Sequence, residues 1–200
     1  MSEPHSESPI VMIRGEKVGL GPIRRDLIAT YQRWFNELQV TRTLDLPIRP
    51  VTFEDESSWF ERAVTGATVV FTIYELETMR PIGNLDLRNI DHYNGIAEYG
   101  IAIGEVDTWG KGYGTEATRL MLSYAFDVLG LHNVWLAVYA NNLGAVRAYE
   151  RAGFKRAGVR RGGIRIGRIR YDIIYMDATA DDVQPGALHA IMNPGTAGAD

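Results

Sequence analysis

The sequence predicts a mixed α/β (α+β) fold, a mostly antiparallel central sheet of about seven strands flanked by about four helices. Three observations predict it. Strand-like and helix-like patterns alternate in the order β-α-α-β-β-β-α-β-α-β-β. The three consecutive strands in the middle are joined by short connections, which favour antiparallel hairpins. A strand, a helix and a strand then follow between Gly95 and Ala140, the pattern of a parallel crossover inside a mixed sheet.

The elements follow in order. KVGLGPI (Lys17–Ile23) reads as the first strand. Asp26 is placed to cap a helix whose Leu27, Tyr31, Trp34, Phe35 and Leu38 form one apolar face. Thr52 with Asp55 has the pattern of a capping box ahead of Trp59, Phe60 and Ala63. Thr68–Leu76, Ile82–Ile90 and Gly95–Gly104 are runs rich in β-branched and aromatic residues, as strands are. Ala117, Leu120, Met121, Tyr124 and Val128 share a helix face that Gly130 closes. Asn133–Ala140 is a further strand. Asn142 caps a helix with Ala145, Tyr149 and Ala152 on one side and Gly153 at its end. FKRAGVRR and RIRYDIIYM are the last two strands, joined by a glycine-rich turn. One domain is expected over residues 12–178, with flexible segments at 1–11 and 179–200, where polar or Ala/Gly/Pro/Asp-rich composition lacks periodicity.

Bulk composition excludes several classes. The formal net charge of −4 argues against a general nucleic-acid binder. The chain has no cysteine, so disulfides, thiolate metal sites and a cysteine nucleophile are ruled out, and a reducing, cytoplasmic setting fits. Its apolar runs fall short of the ~20 residues that cross a bilayer. The N-terminal MSEPHSESP is polar and acidic, unlike a signal peptide. Histidines at 5, 92, 132 and 189 form no pair with helical i,i+4 spacing, so no metal site is expected.

TWGKGYGTEATRLMLSYAF (108–126) carries the sharpest signal. Gly110, Gly112 and Gly114 sit just where a long helical pattern begins, although glycine weakens a helix by about 1 kcal/mol against alanine. A helix N-terminus has unpaired N–H groups and a partial positive charge, and small residues let a phosphate approach them. The spacing fits neither a Walker loop, since Lys111 lies between glycines, nor the G-x-G-x-x-G dinucleotide fingerprint. A tight strand-to-helix turn without ligand is the alternative.

WGKGYGTEA followed by NNLGAVRAYERAGF resembles the GNAT superfamily of acetyl-CoA-dependent N-acetyltransferases. Gly112 and Gly114 occupy the glycines of the family's Q/R-x-x-G-x-G/A loop. Asn142, Ala145, Tyr149, Gly153 and Phe154 match its N-x-x-A-x-x-x-Y-x-x-x-G-F signature. The wording GKGYGTEA, with YDIIYM near the end, is similar to the branch holding ribosomal-protein alanine and spermidine acetyltransferases. The resemblance runs from about Ile13 to Asp177. Trp109 departs from it, standing where many members have Gln or Arg.

The resemblance implies a GNAT fold and acetyl transfer from acetyl-CoA, a cosubstrate, to an amine, without metal. Trp109, Gly110, Lys111, Gly112, Tyr113, Gly114 and Thr115 would hold the pyrophosphate. Ile101 and Ile103 would bind the pantetheine arm through their backbone, and Asn142 would both cap its helix and touch the cofactor. Glu98 is the implied general base, on a strand face with Gly100 and Ala102; a solvent-facing strand position is the alternative. Tyr149 is the implied acid for the departing thiolate, or else a packing tyrosine; a phenol is protonated at neutral pH. Tyr31, Trp34 and Trp59 are candidates for the acceptor site, although each suits the core better. Glu54, Asp55 and Glu56 suit a helix start better than a polyamine site. Six arginines between Arg156 and Arg170 make a basic strip in an acidic protein, which suits a solvated hairpin better than a site for the CoA 3′-phosphate or an acidic peptide; the strip is also a candidate for strand pairing with a second subunit in a homodimer. The acceptor stays open between a protein N-terminus, a polyamine and a small-molecule or antibiotic amine. A catalytically silent CoA-binding module is the competing reading.

Overall fold

Local backbone chemistry starts the helices. Thr52 accepts from the Asp55 backbone N–H and Asp55 returns the bond to Thr52, so the expected capping box opens α3 (Phe53–Thr65). Asn142 Oδ1 accepts from Ala145 N and opens α5 (Leu143–Ala152), which Gly153 closes at φ +118°. Asp26 does not cap. Its carboxylate is held by Arg24, a single tight turn covers Arg25–Leu27, and α1 (Ile28–Phe35) begins without a side-chain cap. Two helices were not expected, α2 (Leu38–Thr41) and α6 (Ala187–Met192). α4 (Tyr113–Ser123) continues into a wider π turn over Tyr124–Val128.

In this computed structural model, which describes residues 8–46, 48–185 and 187–194, eight strands form one sheet. In chain order they are β1 (Ile13–Arg14), β2 (Val18–Pro22), β3 (Val69–Glu75), β4 (Pro81–Asp91), β5 (Ile96–Ile103), β6 (Asn133–Tyr139), β7 (Lys155–Ile166) and β8 (Ile169–Thr179). Their spatial order is β1-β2-β3-β4-β5-β6-β8-β7, antiparallel except for β5 and β6. The short β1 is the strand beyond the seven expected; Met12 N donates to Leu20 O beside it. The glycine-rich stretch expected as the final turn instead lies inside β7, as a bulge between Arg160 and Ile164, and the turn itself falls at Gly167. β7 ends the sheet, and there Arg165 stands directly opposite Arg170.

The two flexible ends were expected at 1–11 and 179–200. Residues 1–7 and 195–200 lie outside the described residues. Within the described part of the second, α6 follows the domain, and His189 Nδ1 pairs with Asp127 Oδ1 at 2.8 Å, while Ser123 Oγ donates to the other Asp127 oxygen. No helix among the described residues is long and apolar enough to cross a membrane.

The sheet's two faces carry different loads. One presents Phe71, Leu85, Leu87, Tyr99 and Ile174 to α4 and α5 and forms the main core. The other presents Thr72, Asn84, Asp86 and Arg88, and α1 to α3 lie on it. Tyr31 Oη shares a 2.6 Å bond with Thr72 Oγ1 across that interface. Glu105, buried just after β5, lashes three segments together. Its Oε1 accepts from Trp34 Nε1 (2.8 Å) and from Arg33, and its Oε2 from Arg80 Nη2 (2.5 Å). Burial pushes its carboxyl up, but the bonds from Arg33, Trp34 and Arg80 outweigh it and hold the group below its ordinary value.

Glu105→Ala should therefore cost about 3 kcal/mol at pH 7, since it strands the buried Trp34 N–H and removes the partner of two guanidiniums. A depressed carboxylate stabilises above its unfolded pKa and loses that contribution as pH falls through the folded one. The gap between variant and wild type in urea melts should thus be full at pH 7 and shrink below about pH 4.

Candidate active site

The parallel pairing of β5 with β6 is short. Ile96, Ala97 and Glu98 face Asn133, Val134 and Trp135, and there it ends. From Tyr99 to Ile103 β5 stays bonded to β4 alone, while β6 continues alongside β8. The gap leaves one backbone edge of β5 unpaired by strand and opens a cavity of about 1320 Å³ that reaches both faces of the sheet. Strand backbone left open in this way offers hydrogen bonds to an extended ligand.

At one end of the cavity lies the glycine loop. Gly110 and Gly112 take φ of +78° and +88°, and a Cβ at either would meet nothing within 4 Å. They are glycines for the left-handed backbone, not for want of room. Gly114 differs: its φ is not positive, and a Cβ there would sit in ordinary contact, 3.8 Å from Ile103 Cγ1. Gly112 is the N-cap of α4, and among the described residues no side chain bonds the first-turn amides. Gly110, Gly112, Tyr113, Gly114, Thr115 and Trp109 all line the cavity. Lys111 does not; it points to solvent. Trp109, 40% exposed, donates Nε1–H to Ile103 O and so closes the last carbonyl of β5. Arg147, Arg151 and Asn142, from α5 and its cap, line the wall facing this loop.

Midway, the two candidate catalytic groups approach from opposite faces. Tyr149 packs its ring edge-on against Tyr99 (6.2 Å between centroids) and Phe154 (5.9 Å), so it belongs to the core and also lines the cavity. Its hydroxyl makes no hydrogen bond among the described residues. Burial pushes that hydroxyl well above the usual phenol range, and Arg88 counters only in part. Glu98 sits on the other face, where Arg88 Nη2 donates to its Oε1 (2.6 Å) and Asn89 Nδ2 to its Oε2 (2.9 Å). Arg88 also reaches Asp86 (3.3 Å). Burial raises the Asp86 carboxyl, and Arg88 pulls it back only partly. The ends of the Asp86 and Arg88 side chains cross over Gly100, where a Cβ would come within 2.6 Å of both.

Of the acceptor-site candidates, only Trp59 lines the cavity. Tyr31 and Trp34 are fully buried core residues, committed to Thr72 and Glu105. The sequence reading did not single out Asn84, Asp86 and Arg88. The available signal was the alternation of polar residues along IGNLDLRNI, which marks a polar face on a central strand. Among the described residues no group of three His, Asp or Glu side chains could hold a metal ion.

A splayed sheet with a helix start at one end and Glu98 and Tyr149 near its middle has the shape to take a long ligand with an anionic tail. Residues 17–155 match the family model described as the acetyltransferase (GNAT) domain, and the chain belongs to that family. The spermidine N(1)-acetyltransferase of Escherichia coli K12 is 36% identical over 72 residues, 36% of this chain and 38% of that protein. The aligned stretches span only 21%, 25% and 47% of three other curated relatives, among them the probable N-acetyltransferase YjcK of Bacillus subtilis. Among solved structures that share the fold are two from bacteria. Spermidine N-acetyltransferase from Vibrio cholerae, in complex with CoA and spermine, has a TM-score of 0.77 at 21% identity, covering 84% of this chain and 98% of that one. Mycobacterium smegmatis RimJ, in complex with CoA-disulfide, has a TM-score of 0.74 at 20% identity, covering 89% of each.

The loop glycines should separate cleanly in thermal melts. Gly112→Ala, forced to positive φ, should lose about 1 kcal/mol, whereas Gly114→Ala, in the first turn of α4, should be neutral or gain up to about 1 kcal/mol.

Proposed function

We propose that the chain is an N-acetyltransferase that moves the acetyl group of acetyl-CoA to a primary amine by direct attack in a ternary complex. The opening of β5 from β6, between the glycine loop and Tyr149, carries this reading. The residues fit the cosubstrate: the Gly110–Gly112 cradle is open toward the cavity, and among the described residues the first-turn amides of α4 have no competing side-chain cap. Backbone amides from Gly112 to Thr115, with Arg147 and Arg151, would hold the phosphates; the unpaired edge at Ile101 and Ile103 would take the pantetheine arm; Asn142 keeps its Nδ2 for the ligand because only Oδ1 is used in the cap. Acetyl-CoA supplies the activated acyl group as a thioester. Tyr149, kept protonated by burial, gives its proton to the leaving sulfur. Glu98 takes the proton of the amine, directly or through water, with Arg88 and Asn89 fixing its position. Each carboxylate oxygen has a second lone pair for that task. The lack of cysteine supports a reducing, cytoplasmic setting.

A thermal scan with CoA at 100 times its dissociation constant should add about 2.7 kcal/mol of stability. No shift, together with no heat of binding, removes the cosubstrate from the cleft. Binding without thiol release for any amine would instead make the chain a silent CoA-binding module.

Tyr149→Phe keeps the ring contacts with Tyr99 and Phe154 and removes only the proton. Its kcat should drop at least ~10-fold while the KM for acetyl-CoA hardly moves; wild-type turnover would return Tyr149 to the core alone.

Glu98→Gln should slow turnover at neutral pH and partly recover at high pH, where the acceptor arrives as free amine. The comparison with wild type has to be made across pH on one acceptor, because the amine's own titration also produces a rising limb. A ratio near one at every pH makes Glu98 a spectator.

A further inference from the structure

On the sheet face that α1 to α3 cover, the cavity has a floor and a roof. In the floor, register lines up Val70, Asp86 and Gly100 across β3, β4 and β5, and sets Arg88 opposite Glu98 in the next row. In the roof, α3 brings Trp59, Arg62 and Ala63 to the cavity at i, i+3 and i+4, and the segment after α2 brings Arg42 and Asp45. The two layers carry opposite charge. Among the described residues the floor holds Asp86 and Glu98 against Arg88, which serves both. The roof holds Arg42 and Arg62 against Asp45, whose Oδ1 accepts from the Tyr139 hydroxyl.

The roof arginines differ from their neighbours. Arg25, Arg33 and Arg49, in the same layer, are each taken by a carboxylate: Glu61, Glu105 and Asp55. Neither Arg42 nor Arg62 has an ion pair or a side-chain hydrogen bond among the described residues. Two guanidiniums without an acid, both lining one cavity, offer their donors to an anion. The surplus carboxylate below offers itself to a cation. Between the layers, Trp59, Ala63 and Val70 line the cavity, apolar surface that suits methylene groups. A polyamine matches the floor but sets its second ammonium against the roof arginines, and like charges in such a space repel. A plain alkylamine leaves the roof unused.

We propose that the acceptor is a small zwitterion, a primary amine that carries a carboxylate, with its amine at Glu98 and Asp86 and its carboxylate held by Arg42 and Arg62. This rests on the acetyl-transfer reading above and narrows its acceptor. In the step, the ammonium first gives one proton to Glu98 and so to solvent. The free amine attacks, a C–N bond forms and the C–S bond of the thioester breaks. The sulfur leaves with the proton of Tyr149, and the second proton of the nitrogen returns to the phenolate through water. Arg42 and Arg62 are binding groups here, outside the bond-making atoms.

The test uses the full chain with saturating acetyl-CoA and reads thiol release on amines of one chain length that differ only at the far end: 5-aminopentanoate, 5-aminopentanamide and 1,5-diaminopentane. In wild type, kcat/KM should fall in that order, with the carboxylate at least ~10-fold above the diamine. Replacing both arginines, Arg42→Gln with Arg62→Gln, should erase the preference for carboxylate over amide, mainly through KM for the amine. Both side chains are exposed and unpaired, so the double variant should melt as wild type does, which separates recognition from a structural role. Arg62→Glu should turn the preference toward the diamine. Calorimetry with CoA should give wild-type affinity in the double variant; a loss matching that in kcat/KM would give the arginines to the cosubstrate's phosphates and overturn the inference. Wild-type preference for the amide or the diamine, or a carboxylate preference that survives in the double variant, also overturns it while leaving acetyl transfer standing. Turnover of none of the three, with CoA still bound, overturns both.

Discussion

The parting of two strands governs this molecule. A sheet normally satisfies every interior backbone group by lateral pairing. Here a parallel pair holds for three residues, through Glu98 and Trp135, and then stops inside the sheet. Everything around the gap answers to it. The aromatic set of Tyr99, Tyr149 and Phe154 fills the core side next to the fork. The carboxylates and Arg88 occupy the opposite side, where buried charge is tolerable only because each acid finds the guanidinium. The helix that begins at the open end of β5 turns its free amides to the same opening.

Holding such a gap open requires that its walls be tied elsewhere. Glu105 does this for the β5 wall, joining α1, the β3–β4 connection and the approach to the glycine loop through one buried carboxylate. Tyr139, the last residue of β6, does it for the other wall: its hydroxyl donates toward Leu44 O and Asp45 Oδ1 at 3.1 Å, pinning the segment that roofs the cavity. Burial and the nearby Asp45 raise that hydroxyl to about 12, so the tie keeps its proton throughout the neutral range.

Much of this was written locally in the chain. The Thr52–Asp55 box, the Asn142 cap, the αL glycines at 110, 112 and 153 and the strand runs depend on neighbours within a few positions, and they were legible. What escaped was lateral. The partnership of Arg88 with Glu98 exists because register puts them directly opposite, and no spacing of ten residues announces it. Asp26 looked like a cap because the competing Arg24, two residues earlier, was given no weight. Tyr31 and Trp34 stood on an apolar helix face, and such a face does not say whether it meets a sheet or a ligand.

The sheet's outer border has a consequence of its own. β7 ends the sheet with a long run of backbone whose outer groups no other strand among the described residues takes, and such a border invites a second molecule to add on. Along it and its hairpin partner lie exposed arginines, two of them face to face at 165 and 170. Two copies approaching border to border would bring these cations together before any backbone bond could form. The repulsion reaches roughly one Debye length, about 8 Å in physiological salt and only about 3 Å at 1 M. Crowded solutions of this protein should therefore stay clear in dilute buffer, which keeps the borders apart, and lose that protection in concentrated salt, which brings them within reach of cross-molecular sheet growth.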